Sequence, residues 1–410
     1  SVENNKPLYK KLLLIVPVSI YFLSSANDFF HFNKIEGTYL GGRALVKPSS
    51  RLTFIPKAGY AFEAERWKYD ITTSYLLSDP GKLYLNFNIH DKITNRPTLV
   101  SAHEGSATLK SLLSKLDPYD YFVQKGFSTG LSFNPSHKTN LSVNINSFKQ
   151  WSVTNNTNYS WINKDSAYTF NESKTDSTLD LNTVYRVNPT IQDGYLRTLS
   201  ANFVYNSQDK VKLKDKEVFM FSYPYTTFGF GIEYSSPSFF NSDFEYTRLT
   251  SQFYTSRRVL GLGIGSLGLY GGFRISGNIP SQRYFTMDYN ANMFDDAMIF
   301  HTLVETNFTG ANILSAYYTH EFDRLLFRKS GIPLIKDIPF SLSLYGGLFV
   351  TNFDKNRINQ YPLPNYTGDT PYSEIGFGIG RLPLLMKFYF TWQISDYDTE
   401  RFTVGMDFGF

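Results

Sequence analysis

Apolar and polar residues alternate with a period of two along much of the chain, most cleanly in Lys82–His90, KLYLNFNIH. Leu83, Leu85, Phe87 and Ile89 fall on one side, and Lys82, Tyr84, Asn86, Asn88 and His90 on the other. Successive side chains of a strand point to opposite faces, so this pattern predicts a strand with one apolar face. Leu384–Ser395, LLMKFYFTWQIS, repeats it over a longer run, with Leu384, Met386, Phe388, Phe390, Trp392 and Ile394 on one face. The last ten residues, RFTVGMDFGF, set Phe402, Val404, Met406, Phe408 and Phe410 against Arg401, Thr403, Gly405, Asp407 and Gly409. Shorter copies hold Leu131 and Phe133, then Leu141, Val143 and Ile145, then Leu342, Leu344 and Leu348.

The polar partners in these runs are mostly Ser, Asn, Thr, Tyr and Gly rather than the Lys and Glu that would coat a soluble sandwich. Alternating segments of about ten residues, with aromatic ends and a weakly charged opposite face, are the signature of an outer-membrane barrel. The longest apolar run, Leu12–Leu23, is too short to cross hydrocarbon as a helix and contains Pro17. In lipid every backbone N–H and C=O has to be paired within the protein, which leaves a closed antiparallel barrel as the all-β solution.

Seventeen stretches read as strands, from 34–45 to 400–410 and including 174–187 and 296–306. Bacterial single-chain barrels have even strand numbers, so the expectation is about sixteen, within a range of 14 to 18. The barrel domain is then 34–410, behind a lead-in, 1–33, at the barrel boundary. With Phe410 at the periplasmic rim, counting backward places 352–370 outside and 381–383 in a tight periplasmic turn. The same count puts 277–295 and 323–337 on the periplasmic side. Within the 92–120 connection, Leu109, Leu112, Leu113 and Leu116 have the spacing of a short amphipathic helix.

Lys10 and Lys11, the apolar run and then Ser24, Ser25 and Ala26 imitate a secretory signal. The first residue is Ser1, however, and Tyr21 and Phe22 are bulky where cleavage would occur. The sequence therefore reads as a piece of a longer protein whose lead-in lies near the membrane boundary.

Composition sharpens this picture. Of 410 residues 42% are hydrophobic and 19% charged, and 37 Phe, 30 Tyr and 4 Trp make 17% aromatic. Rings supply the apolar surface, and bulk disorder is excluded. The absence of cysteine rules out thiolate metal sites, a cysteine nucleophile and disulfides. A net charge of +4 without a basic run gives no support to nucleic-acid binding. Gly263–Gly268, GIGSLG, matches a glycine-rich dinucleotide pattern, but LYGGFRISG after it reads as strand rather than the required helix. His31, His90, His103, His137, His301 and His320 form no helical metal pair. His320, Glu321, Asp323 and Arg324 in YYTHEFDRLLF suggest a polar cluster at a rim or in the lumen, with no nucleophile beside it. No catalytic, cofactor or metal site is expected, and the protein is read as not an enzyme.

LYKKLLLIVPVSIYF, FNKIEGTYLGGR, ERWKYDI, LDPYDYFVQKGFSTGLSF, DFEYTRL, GNIPSQRYF, YYTHEFDRLLFRKSGIPLIKDI and PYSEIGFGIGRLPLLMKFYFTW occur in that order. Together they resemble the barrel portion of a Bacteroidota outer-membrane family known as a domain of unknown function. The resemblance covers nearly the whole chain. It implies a carboxypeptidase-regulatory-like β domain ahead of the barrel in the full-length protein. More remotely the family is similar to BamA- and TamA-type assembly barrels, which insert other barrels or move polypeptide or lipid. That superfamily carries an Arg-Gly-aromatic motif on a loop folded into the lumen, and the nearest approximation here is Phe273–Pro280, FRISGNIP.

These readings place the protein in the bacterial outer membrane, in contact with lipid. Phe402, Val404, Met406, Phe408 and Phe410 are the candidate C-terminal signal for the barrel assembly machinery, captured by strand addition. A role in outer-membrane protein or lipid assembly or transport, with such molecules as clients, is the leading expectation. A passive pore or structural barrel is the alternative, and a membrane-embedded lipid enzyme a distant third. A weak seam between first and last strands would favour assembly, and a continuous ladder around an open channel would favour a pore.

Overall fold

The computed structural model describes residues 19–22, 26–79, 82–96, 104–115, 117, 119, 121–165, 167–168, 191–213, 216–219, 224–287, 300–303, 308–329, 331–332, 340–353, 366–382 and 386–408. The main sheet begins with β1 (Ser19–Phe22) and β2 (Phe30–Asn33), separated by the single-turn helix α1 (Ala26–Phe29). Both pair with β3 (Gly37–Lys47), β1 along Ala44–Lys47 and β2 along Gly37–Leu40, so they are two pieces of one broken strand.

The sheet continues through β4 (Leu52–Ala61), β5 (Arg66–Ser78) and β6 (Leu83–Asn95). Helix α2 (Glu104–Ser114) follows, then β7 (Tyr121–Ser136), β8 (Thr139–Ser152) and β9 (Gly194–Asn206). A small hairpin of β10 (Lys210–Leu213) and β11 (Lys216–Phe219) forms a sheet of its own. The main sheet resumes with β12 (Tyr225–Ser235), the short α3 (Pro237–Phe240), β13 (Tyr246–Arg258) and β14 (Ile264–Gly277). A second ribbon joins β15 (Phe285–Met287) to β16 (Phe308–Gly310). Then come β17 (Asn312–Asp323), α4 (Leu325–Lys329), β18 (Ser341–Asn352), β19 (Tyr372–Leu382), β20 (Met386–Gln393) and β21 (Phe402–Phe408).

Each main-sheet strand pairs antiparallel with the next one in the chain, β9 passing directly to β12 and β14 to β17. With the broken strand counted once, the sheet has sixteen strands. Among the described residues no rungs join β21 to β1 or β2.

Register carries the alternation from strand to strand, because directly opposed residues share a face. Ile89 of β6 stands opposite Ile71 and Phe127, and Leu85, Phe87 and Ile89 are all exposed on the outer face. Phe390, Phe377, Trp392 and Phe402 form an outward aromatic ladder across β19, β20 and β21, with successive ring centroids 5.0, 5.8 and 5.0 Å apart. Across β5–β8 the opposite face is mostly polar. Asn86 there accepts from Ser74 at 2.8 Å and donates to Ser132 at 2.9 Å.

Sixteen strands are reached with a different membership from the sequence reading. Residues 300–303 form a turn and coil rather than the expected strand 296–306, while the expected strand 174–187 lies outside the described residues. The missing strand is the broken one, so the boundary at 33/34 moves: residues 19–22 and 30–33, assigned to the lead-in, already belong to the sheet. With no strand among the described residues 300–303, and β14 paired directly with β17, the parity also changes. The connection after Gly277 leaves from the same end as the one after Asn352, not from the end shared by 323–337 and the turn after Leu382. The expected helix is present as α2, with Leu112 buried and Leu109 and Leu113 exposed.

Candidate functional site: the inner face and the segment seated on it

The β14–β17 connection turns back onto the inner face of the sheet. Pro280, with φ −65° and ψ 149°, leads into a tight turn at Ser281–Arg283 in which Ser281 and Gln282 are buried. Gln282 donates to the Gln150 side chain on β8 at 3.1 Å and to the Gln192 carbonyl at 2.8 Å. The Gln192 N–H donates to Gln282 Oε1 at 3.1 Å.

Arg283 meets a charge cluster built by the β12–β13 pair. Glu233 and Arg248 are direct cross-strand partners, 3.0 Å apart as an ion pair. Tyr246 donates its hydroxyl to Glu233 at 2.6 Å. Arg283 donates to both carboxylate oxygens of Glu233, through Nε at 3.2 Å and through Nη2. Arg248 in turn donates to the Arg283 carbonyl at 2.9 Å and lies 5.4 Å from the centre of the Phe285 ring. Burial opposes the charge on Arg283, but Glu233 outweighs it and holds the guanidinium pKa above its ordinary value.

Two glycines make sockets for the rest of the segment. A Cβ on Gly272 of β14 would sit 2.6 Å from the Phe285 ring, and one on Gly347 of β18 would meet Tyr317 at 2.4 Å and Phe300 at 2.8 Å. Only a residue without a side chain lets the rings approach the sheet so closely. Phe300 packs edge-on against Phe349 at 4.9 Å, and the neighbouring His301 stacks on Tyr389 at 5.0 Å. Glu374 of β19 accepts the backbone N–H groups of His301 and Thr302 at 2.9 and 3.0 Å and the Thr302 hydroxyl at 2.6 Å. Thr403 of β21 donates to the His301 carbonyl at 3.2 Å. The segment therefore touches the inner face from β8 to β21, and the sheet curls around it.

The wall of β5–β8 is tied to the segment by a chain of side-chain hydrogen bonds. Lys92 donates to Asp70 at 2.6 Å, and Asn88 donates to the other oxygen of Asp70 at 2.5 Å. His90 lies 2.7 Å from Asn88 Oδ1 and 2.9 Å from Gln124 Nε2, and Gln150 donates to Gln124 at 2.7 Å. Gln282 closes the chain on Gln150. Beside it, under α2, a cavity of about 280 Å³ is lined by His31, Glu36, Lys68, Asp70, Lys92 and Tyr121 among others. Glu36, in the β2–β3 turn, is bound by Lys68 and, at 2.8 Å, by His31. Burial pushes its carboxyl up, but Lys68 and His31 prevail and bring its pKa down to about 2.

The residues singled out from sequence divide between the two faces. Phe402, Val404 and Met406 are exposed on the outer face, while Thr403 points inward. Phe408 pairs with Met386, and Phe410 lies outside the described residues. Of the cluster expected at 320–324, His320 donates through Nε2 to the Leu262 carbonyl at 3.2 Å and lies 3.1 Å from the Tyr318 hydroxyl, whereas Glu321 pairs with Lys387 across the inner face at 2.6 Å. Gly263–Gly268 runs directly into β14. Phe273–Pro280, which only approximates the Arg-Gly-aromatic motif and does not match it, places Arg274 at the strand end, where it donates to the Gly277 carbonyl; Arg283, followed by Tyr284 with no intervening glycine, takes the inner position. Sequence reading missed Glu233, Tyr246, Arg248 and Arg283. Opposite charges at Glu233 and Arg248, on strands flanking a turn, were the available signal; nothing near Arg283 in the sequence points to its partners.

The model of the family described as "Family of unknown function (DUF5686) C-terminal domain" matches residues 17–361. The chain belongs to that family. No curated protein matches the sequence of this family member. Among solved structures it is similar to BamA from Haemophilus ducreyi lacking POTRA domains 1–3, with a TM-score of 0.52 and 11% identity, over 95% of this chain and 70% of that one. The likeness is one of fold. CdiB from Escherichia coli (TM-score 0.43, 9% identity, 95% and 66% covered) and CdiB from Acinetobacter baumannii (0.39, 8%, 92% and 57%) are similar more distantly. The chain spans only about two thirds and just over half of those two proteins.

Proposed function

We propose that the sixteen strands close into a barrel in a bacterial outer membrane and that the protein is a non-enzymatic barrel that assembles or moves protein or lipid there. In this reading the outer face meets hydrocarbon, and the end of β21 lies at the periplasmic rim. The observation that carries it is the segment seated on the inner face. A solute pore is served by an open path, whereas here the β14–β17 segment is tied to β8, β12, β13, β19 and β21.

The outermost strands fit the same reading. The broken first strand offers two pieces of four residues and β21 has seven, against ten to sixteen for β3–β9. A short first strand and a short last strand make a seam that opens at low cost, and an exposed strand edge is a template for a client strand. The fold shared with BamA supports the assignment by analogy alone.

Depletion of the full-length protein tests it: outer-membrane protein or lipid content is expected to fall. Unchanged protein and lipid with reduced uptake of small solutes would establish the pore instead. Because the chain has no cysteine, pairs introduced at Ile20 or Phe22 and at Val404 or Met406 report the seam directly. Oxidation of such a pair is expected to abolish the activity, and reduction to restore it.

A further inference from the structure

A second site lies on the outer face, at the end of the sheet from which the connections after β6 and β8 leave. Lys125 of β7 and Lys149 of β8 are direct cross-strand partners. They share the face of Phe127 and Ile145, two residues and four residues nearer the middle of the strands. Like charges placed directly opposite each other destabilise a ladder, so this pair needs a compensating anion.

The protein supplies one carboxylate, Asp91, which Lys125 has to share with Arg66, and none for Lys149 among the described residues. Asp91, itself buried, binds Arg66 and lies 3.4 Å from Lys125. Asp193 and Asp243 accept the backbone N–H groups of Ser152 at 2.8 Å and Tyr195 at 2.6 Å. Among the described residues no carboxylate lies within ion-pair distance of Lys149, whose ammonium instead faces the rings of Trp151 at 5.8 Å and Tyr195 at 5.7 Å. Arg197 also lies over Tyr195, 5.1 Å from the ring centre, and donates to Ser147 at 3.4 Å and to the Asn241 carbonyl. Directly below the cations Phe127, Val143 and Ile145 are 41, 50 and 39% exposed and form an apolar track.

We propose that Lys125, Lys149 and Arg197 bind the negatively charged phosphate headgroup of a membrane lipid whose acyl chains lie along Phe127, Val143 and Ile145. The proposal rests on the barrel reading, which puts this face in lipid. A lipid is the source rather than free phosphate, because the apolar track starts where the cations end and an inorganic ion would leave it uncovered. Tyr and Trp beside the cations are the residues that sit at the headgroup level of a bilayer, and each basic side chain there contributes to holding an anionic lipid.

Native mass spectrometry of the detergent-purified protein tests this with dimyristoyl phosphatidic acid, dimyristoyl phosphatidylcholine and inorganic phosphate as probes. Phosphatidic acid is expected to be retained at least tenfold better than phosphatidylcholine, and inorganic phosphate not to displace it. Lys149→Gln should weaken retention roughly fivefold and the Lys125→Gln/Lys149→Gln pair about 25-fold. Lys138→Gln, at the other end of the sheet, should leave it unchanged. Equal retention of the two lipids, an undiminished signal in the double variant, or displacement by phosphate would overturn the site. A heat-dependent shift on a denaturing gel separates the two failures. A barrel that shifts but shows no preference removes only this proposal, whereas a wild-type chain without the shift removes the barrel reading with it.

Discussion

Glu233→Gln keeps the shape of the side chain and takes away its charge. In the native protein the carboxylate serves Arg283, Arg248 and Tyr246 together. After the substitution two guanidinium groups face a neutral amide, which accepts at one oxygen and turns an NH2 toward a cation. The side chains are only 13% exposed at Glu233, 11% at Arg248 and 20% at Arg283, so water screens the loss weakly. Removing one partner of a buried ion pair costs about 3–5 kcal/mol, against about 0–1 for an exposed pair. The expected loss is at the lower end of the buried range, about 3 kcal/mol. Urea unfolding in vesicles, followed by tryptophan fluorescence, measures it. Amide exchange gives the local readout: residues 278–287, released from β12 and β13, should exchange on the order of 100-fold faster while β6–β8 stay protected. Adding Arg283→Gln should recover part of the loss, since it removes one of the uncompensated charges. A loss below about 1 kcal/mol with unchanged protection of 278–287 would refute the reasoning and reduce the cluster to an ordinary exposed pair.

Gly347→Ala forces Tyr317 and Phe300 apart and should cost about 1–3 kcal/mol, visible as faster exchange of 300–303. Val404→Arg places a charge on the outer face of β21 and should cost roughly 2–4 kcal/mol near mid-membrane, read as reduced folding yield in vesicles; Thr403→Val, which loses only an inward hydrogen bond, should fold nearly normally. Because the folded pKa of Glu36, about 2, lies below its ordinary 4.5, its ionised form stabilises the fold above pH 4.5. That contribution, roughly 3 kcal/mol, disappears as pH falls through 2, and Glu36→Gln should flatten the acid limb of an unfolding titration. Protease-cleavable tags at Asn241 and at Lys329 should be accessible from opposite sides of the membrane, with Asn241 outside; accessibility from the same side would mean that the strand count is wrong.

Strand faces were legible in the sequence because an apolar outer face and a polar inner one impose opposite demands on alternate residues, as at Leu85, Phe87 and Ile89. The first strand was not. Its two pieces contribute four residues each, with Asn27 and Asp28 between them, and Ser19–Phe22 is submerged in an apolar run with no alternation. The stretch 296–306 failed in the other direction: Phe300 and Leu303 are apolar because they pack against the inner face, not because they lie in a strand. The charge cluster was only half legible. Glu233 and Arg248 are brought opposite by local hairpin register, but Arg283 reaches them through a connection whose path is set by Gly272, Gly347 and Glu374.

The break in the first strand gives the edge of the sheet a direction. Its upper piece, β2, is held through its side of the turn by Lys34 on Asp117 at 3.0 Å, by Asn156 on the Ile35 carbonyl at 2.8 Å and by Thr108 on the Phe32 N–H at 3.2 Å. The lower piece, β1, has four opposed residues on β3, and α1 stands between it and the anchored part. A load applied where the chain enters the sheet is thus met by four rungs and then stops, like a zip with a fixed upper catch. Unfastening from the entry end has a built-in limit at Asp28, which Lys57 grips at 2.8 Å.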